Sequence, residues 1–248
     1  MSAYRKVLAL DSSGLVASAA VVEGDESGST LLAEYTVNYK KTHSQTLLPM
    51  LDEIVRMIEL DLHEIDAIAV AAGPGSFTGL RIGSATAKGL GLVLEKPLVA
   101  VPTVDALAYN LFGAGDLICP LMDARRNQVY TSIYEFEGSR LAVLEPQMAV
   151  DIAEIAEKIR ARERDVIFLG DAVPLHRKTL EELLAGQNIR FAPAHLNRQR
   201  AGAVGALALE YIKEGKWESA DEHRPEYLRM SQAERVRAEK MKAGEQAT

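Results

Sequence analysis

The chain of 248 residues holds one cysteine, Cys119, and one tryptophan, and aromatic residues make up only 6% of it. A single cysteine excludes an intramolecular disulfide, a CxxC redox pair and a cysteine-based zinc site. Cys119 lies in the apolar run 117–122 and reads as a small buried hydrophobe. No stretch approaches the roughly 20 apolar residues of a membrane helix. The apolar run at 7–10 is too short for a signal-peptide core. A cytoplasmic protein with no membrane contact is expected. Basic residues are also scarce: 28 Lys and Arg stand against 35 Asp and Glu, for a net charge of −7. A stand-alone nucleic-acid binder draws most of its affinity from neutralising phosphates, so any work on RNA is expected to pass through a partner. The histidines (His43, His63, His176, His195, His223) show no HxxxH or HExxH spacing, and no metal site is expected.

What is present is an ordinary core-forming mixture, 48% hydrophobic and 25% charged. Residues 6–10 read as a buried strand ending in the turn formers Asp11-Ser12-Ser13-Gly14, and 16–22 and 31–37 as further strands. Thr42 is the expected N-cap of a helix over 43–60, where Leu47, Leu51, Ile54 and Ile58 recur at helical spacing. The run 67–72 is apolar throughout, as in a central strand covered on both faces. A glycine-rich turn then leads into a helix reaching about residue 94. A strand at 97–101 and a helix capped by Thr103 or Asp105 close the first half. The second half repeats the theme, with strands at 118–122 and 129–135 and a hairpin partner at 141–144. A helix over 152–162, a strand over 165–169 and helices near 175–184 and 203–213 complete it.

Asp11 and Asp123, nearly half the chain apart, each close an apolar strand, and each precedes a turn and a strand ending in Glu-Gly. An internal duplication is the economical reading, and two halves that merely start alike are the alternative. The expected organisation is an α/β lobe over 1–113, a second over 114–228, and a charged, disordered tail over 229–248.

Two features could carry chemistry or contact. The turn Gly73-Pro74-Gly75-Ser76-Phe77-Thr78-Gly79 exposes backbone N–H groups at a helix start. Gly73, Gly75 and Ser76, with Asp11 and Asp123 across a cleft, therefore make a candidate anion or magnesium-nucleotide site. The GxGxxxG spacing is neither the dinucleotide fingerprint nor a P-loop, so a tight structural turn stays open as the bland reading. The second feature is the row Gly79, Gly83, Ala87 and Gly91, a stripe of tiny side chains on one helix face. Interior glycines cost roughly 0.5–1 kcal/mol each against alanine, so another backbone is expected to come close there. It belongs either to the 43–60 helix or to a second protein. The 43–60 helix carries apolar residues beyond one stripe (Leu48, Met50, Val55, Met57), which points to a protein–protein surface. The candidate interface is His43, Leu47, Leu48, Leu51, Ile54, Val55 and Ile58 with Gly79, Gly83, Ala87 and Gly91. Ser12 and Ser13 have no evident base, Arg125-Arg126 read as solvated, and no catalytic residue is assigned.

Several blocks together resemble one family: Leu8-Ala9-Leu10-Asp11-Ser12-Ser13, Thr42-His43-Ser44-Gln45 with Leu48-Pro49, the turn at 73–79 with Leu80-Arg81-Ile82-Gly83, Ala87-Lys88-Gly89-Leu90, Val101-Pro102-Thr103, and Pro225-Glu226-Tyr227-Leu228-Arg229. The chain resembles the TsaB (YeaZ) family, the dimerisation subunits of the bacterial tRNA threonylcarbamoyladenosine (t6A) machinery. The likeness spans nearly the whole chain and is least distinctive over 139–220. It implies a duplicated actin-like, RNase-H-like (ASKHA) fold, each lobe a mixed β-sheet flanked by helices. It also implies a non-catalytic subunit that forms a heterodimer with the transferase TsaD through the helices at 43–60 and 79–94. The ATPase TsaE joins them, tRNA is met only through the complex, and the subunit alone forms a homodimer. TsaD-type chains carry a metal-binding histidine pair just after the matching strand. Here Thr103 and Leu107 hold those places, and neither is a metal ligand of that kind. By this resemblance the chain alone binds no cofactor, and the ATP and metal of the complex belong to its partners. The alternative is an actin-like phosphotransferase or metallopeptidase-like enzyme using Asp11 and Asp123.

Overall fold

A computed structural model describes residues 5–25, 27–39 and 42–229. In chain order the first half holds β1 (Arg5–Asp11), β2 (Ala17–Asp25), β3 (Gly28–Val37), α1 (His43–Met57), β4 (Ala67–Gly73), α2 (Phe77–Leu94), β5 (Leu98–Pro102) and α3 (Thr103–Tyr109). The second holds β6 (Leu117–Asp123), β7 (Gln128–Glu137), β8 (Arg140–Asp151), α4 (Ile152–Arg160), β9 (Val166–Leu169), α5 (Val173–Leu183), β10 (Ile189–Phe191) and α6 (Ala201–Lys213). The first sheet runs β3-β2-β1-β4-β5 and the second β8-β7-β6-β9-β10. The two halves thus share one topology, and Asp11 and Asp123 end equivalent central strands. This is the duplicated actin-like fold. β1 pairs antiparallel with β2 (Leu10 opposite Ala19) and parallel with β4 (Leu10 opposite Val70).

The alternation of strand side chains explains how the helices are placed. In β4, Ile68 and Val70 face a core shared with Leu47, Met50, Leu51 and Ile54 of α1 and Ala87 of α2. Ala67, Ala69 and Ala71 face the other way, onto Ala201, Val204, Leu207 and Ala208 of α6. The second sheet is built alike. Cys119 and Leu121 face α4 and α5, while Ile118 and Met122 face Val104, Leu107 and Ala108 of α3. Each sheet therefore carries its own half's first two helices on one face and the other half's third helix on the other.

That exchange corrects a division of the chain at 113/114. α6 sits on the first sheet, and the segment after it stays there. Leu98 and Glu218 form a β-bridge, Ala220 enters the first core, and the Glu226 N–H donates to the Ala72 carbonyl at 2.7 Å. The expected tail lies outside the described residues from position 230 on. Smaller differences follow from packing. β10, three residues long, escaped the sequence pattern because it carries only two apolar residues. Thr42 precedes α1 without a side-chain cap bond. Thr103 and Asp105 lie inside α3, whose first six residues are all buried, so neither serves as its cap. Cys119 is fully buried, and burial pushes its thiol up to about 12.

Burying each of Val204, Leu207 and Leu209 contributes roughly 1.5–3 kcal/mol, a large part of a typical domain stability of about 5–15 kcal/mol. Residues 1–113 expressed alone are therefore expected to lack a cooperative thermal transition by circular dichroism. Adding a separate peptide spanning 201–229 is expected to restore one.

Candidate functional site

The turn between β4 and α2 lies against the chain's own backbone. A Cβ at Gly73 would overlap the carbonyl oxygen of Glu226, one at Gly75 that of Ser13, and one at Gly79 that of Ser12. Gly73 also has φ of +136°, a conformation that favours glycine. The Ser13 carbonyl accepts the Ser76 N–H at 2.6 Å, and the Ser12 hydroxyl donates to the Gly79 carbonyl at 2.9 Å. Ser76 caps α2 by accepting the Gly79 N–H at 3.3 Å. Further along the stripe, Gly83 faces Ser12 and Val70, Ala87 is fully buried, and Gly91 faces Leu98 and Ala220. The close neighbours of this row belong to the same chain: the turn after β1 at Gly79 and Gly83, and Leu98 and Ala220 at Gly91. Those four residues are removed from the interface by burial. The glycines at 73 and 75 are occupied in the same way, which favours the structural reading of the turn over an anion cradle.

The two equivalent aspartates have different surroundings. Asp11 is buried, and its Oδ1 accepts the Ser13 N–H at 2.9 Å and the Ser13 hydroxyl at 2.6 Å. Burial pushes its carboxyl up to about 6, against the opposing pull of the Ser13 hydrogen bonds and of His43. Asp123 instead lines a cleft of about 740 Å³ between the lobes. Its Oδ1 accepts the Arg125 N–H at 2.7 Å and its Oδ2 pairs with the Arg125 guanidinium at 3.1 Å. Its own N–H donates at 3.0 Å to Asp171, whose carboxyl burial raises. The cleft is therefore lined by Asp123 but not by Asp11, and the paired presentation foreseen for them is not formed.

A strap after α6 was missed except for its last residues. It runs along α2 to the cleft mouth. His223 is fully buried, bonded through Nε2 to the Ser84 hydroxyl at 2.9 Å and through Nδ1 to Glu218 at 2.7 Å. Lys88 donates to the Asp221 and His223 carbonyls. The Tyr227 ring lies 4.8 Å from that of Phe77, which the Arg81 guanidinium covers at 4.0 Å. Arg229 then donates to the Ala124 carbonyl at 2.7 Å in the second lobe. The block Pro225–Arg229 was its sequence signal; the burial of His223 against Ser84 and Glu218 is seen only in the structure.

The outward faces of α1 and α2 are apolar. Leu47, Leu51 and Ile54 point into the core, as does Met50, and these side chains are withdrawn from any interface. Leu48 and Met57 are exposed, Val55 and Ile58 half-buried, and half-buried His43 bonds the Gly14 carbonyl at 2.8 Å. On α2 the open row is Arg81, Ala85, Gly89 and Val93, two residues on from the buried stripe and so on the opposite face of the helix. Val93 is 80% exposed, Leu92 is exposed beside it, and a Cβ at Gly89 would meet nothing within 4 Å.

The family model described as TsaD, tRNA N6-adenosine threonylcarbamoyltransferase, matches residues 30–236. The chain is 34% identical over 230 residues to the tRNA threonylcarbamoyladenosine biosynthesis protein TsaB of Bacillus subtilis, covering 92% of this chain and 96% of that protein. The chain belongs to the TsaB (YeaZ) family. The Escherichia coli TsaB is 33% identical over 117 residues, 44% of this chain and 51% of that one. The structure of YeaZ from Pseudomonas aeruginosa superposes with a TM-score of 0.76 at 24% identity, over 90% of this chain and all of the other, a likeness of fold.

Within the TsaB family frame, Thr103 and Leu107 hold the places onto which the resemblance lays the transferase histidines. Both are buried in α3. Among the described residues, no three His, Cys, Asp or Glu side chains gather where they could hold a metal ion.

Two outcomes follow from the packing. Gly83→Leu is expected to cost about 3 kcal/mol or more, because the added side chain meets Ser12 and Val70. Chemical unfolding reads the loss. Asp11→Asn keeps the Oδ1 acceptor for both Ser13 donors and removes the buried charge. Since the folded carboxyl titrates at about 6 against an ordinary 3.8, its contribution to stability is full below pH ~4 and is lost as pH rises through ~6. The variant is expected to match the parent near pH 4 and to exceed it by about 3 kcal/mol at pH 7.5, as measured by denaturant unfolding at both values.

Proposed function

We propose that this chain is the non-catalytic partner of a TsaD-type threonylcarbamoyltransferase in the t6A modification of tRNA. It docks through the outward faces of α1 and α2, with the ATPase TsaE joining the pair. The observation that carries this reading is the open apolar row on α2. Ala85 and Gly89 leave space for another helix to approach closely, Leu92 and Val93 add exposed apolar area on the same helix, and Leu48 and Met57 are exposed on α1. Exposed apolar side chains of this kind support an interaction site, and small residues beside them allow a short interhelical distance. Without the transferase the same face pairs with a second copy, so homodimer and heterodimer compete for it.

The subunit then acts by favouring the competent state of its partner rather than by chemistry of its own. Three points support this. Thr103 and Leu107 offer no imidazole, Asp11 is buried and bonded to Ser13, and the glycine turn is filled by its own chain. The same points weigh against a phosphotransferase or metallopeptidase that would need both aspartates in the cleft. With a net charge of −7 the chain has no excess of cations for phosphate, so tRNA, ATP and metal are assigned to the partners.

Gly89→Arg tests the face directly. The substitution removes a helix-interior glycine from open space, so the free protein is expected to be as stable as the parent or more so by about 0.5–1 kcal/mol. Affinity for the co-expressed transferase, read by titration calorimetry, is expected to fall by about tenfold or more, ~1.4 kcal/mol. Reconstituted t6A formation should fall with it. An unchanged affinity would show that docking occurs elsewhere.

A further inference from the structure

A buried carboxylate outside the cleft and the docking face ties the two lobes together. Asp105, on α3, is nine-tenths buried. Its Oδ1 accepts the Tyr134 hydroxyl at 2.6 Å and the Gln147 amide at 3.2 Å, and its Oδ2 accepts the Tyr211 hydroxyl at 3.1 Å. Tyr134 and Gln147 stand on β7 and β8 of the second sheet, to which α3 itself is packed. Tyr211 stands on α6, which is packed on the first sheet. The Asp105–Tyr211 bond therefore crosses between one rigid layer and the other, where α3 and α6 meet. A second polar contact between the layers lies at the opposite end, at the cleft mouth, where Arg229 of the strap reaches the Ala124 carbonyl.

We propose that Asp105 and Tyr211 form a lock that fixes the angle between the lobes, and with it the width of the cleft. The bond joins two helices that otherwise meet through apolar side chains, and apolar contacts allow packed helices to slide past each other. A buried carboxyl that holds three directed donors resists such sliding, because moving α6 leaves one of its oxygens unbonded. Breaking the bond loosens the first layer over the second, the two staying joined by the chain crossings at 102–103 and 192–200, by the apolar packing of α3 on α6 and by Arg229. This inference is independent of which surface binds the partner.

The single native cysteine makes the test direct. Cys119 is fully buried with its thiol pushed up to about 12, so it stays unlabelled while spin labels are placed at Leu15→Cys and Leu175→Cys. These two leucines are exposed and line opposite walls of the cleft. Electron–electron dipolar spectroscopy on the full chain is expected to give one narrow distance distribution. Adding Tyr211→Phe, which keeps the ring and removes only the hydroxyl, is expected to broaden it or add a longer population. Tyr109→Phe, on α3 but outside the cluster, should leave it narrow. Circular dichroism and thermal melting verify that each variant is folded. A distribution in folded Tyr211→Phe identical to the parent overturns the lock. So does equal broadening in Tyr109→Phe, which would trace the effect to loosened packing.

Discussion

Each five-stranded sheet has two apolar faces, and each half of the chain supplies α-helices for only one of them. The rest of the structure depends on how that deficit is met. α6 closes the first sheet and α3 the second, so neither half can bury its core without the other. The third helices are accordingly apolar on more than one side, and α3 buries polar Thr103 and Asp105 along with its aliphatic residues. A buried carboxylate is tolerated only when its lone pairs are satisfied. Asp105 meets that condition by gathering donors from both layers, which makes an exchange needed for burial also a mechanical joint.

Close packing at the end of β1 sets the character of α2. The turn Ser12-Ser13 runs beneath the start of the helix, where Gly79 and Gly83 let it pass, and Gly91 makes room for Leu98 and Ala220. Once that row is committed inward, geometry fixes what faces out. The row on the opposite face carries Ala85, Gly89 and Val93, and the strap claims the side that carries Ser84 and Lys88. α2 is thus used on three sides: by the β1 turn, by the strap, and by open apolar surface. A helix that accepts glycine on its open side gives up intrinsic stability there, which is understandable if a close neighbour restores it.

Much of this was legible from residue order. The strands 6–10 and 67–72, the glycine turn, the Asp11/Asp123 repeat and the position of α2 follow from alternation, turn chemistry and period. Periodicity shows that residues share a face but not what the face meets. The Gly79-to-Gly91 row therefore announced a close contact correctly, while its neighbour was open to misassignment. Leu47, Leu51 and Ile54 were ambiguous for the same reason, because a core stripe and a docking stripe are both apolar. The exchange of α3 and α6 left no local mark, since each helix is apolar whichever sheet receives it. Asp11 carried no sign of its burial, which depends on Ser13 folding back over it and on α2 lying across the turn.

The duplicated fold provides an internal comparison that bears on the docking face. α5 occupies in the second lobe the place α2 holds in the first, and its outer side carries the pairs Arg177–Glu181 and Lys178–Glu182 at helical spacing. That is how a helix in this position looks when it faces water. α2 has two charged residues in its eighteen, and both are engaged within the chain: Arg81 over Phe77, Lys88 on strap carbonyls. Two helices of like position in one molecule, exposed to the same solvent, differ in whether their outer faces are charged or apolar. Fold and position are common to both and cannot account for that difference. Under the proposed docking, a partner on the first lobe alone would account for it; Asp11, bonded beneath α2, and Asp123, open to the cleft, differ between the lobes as well.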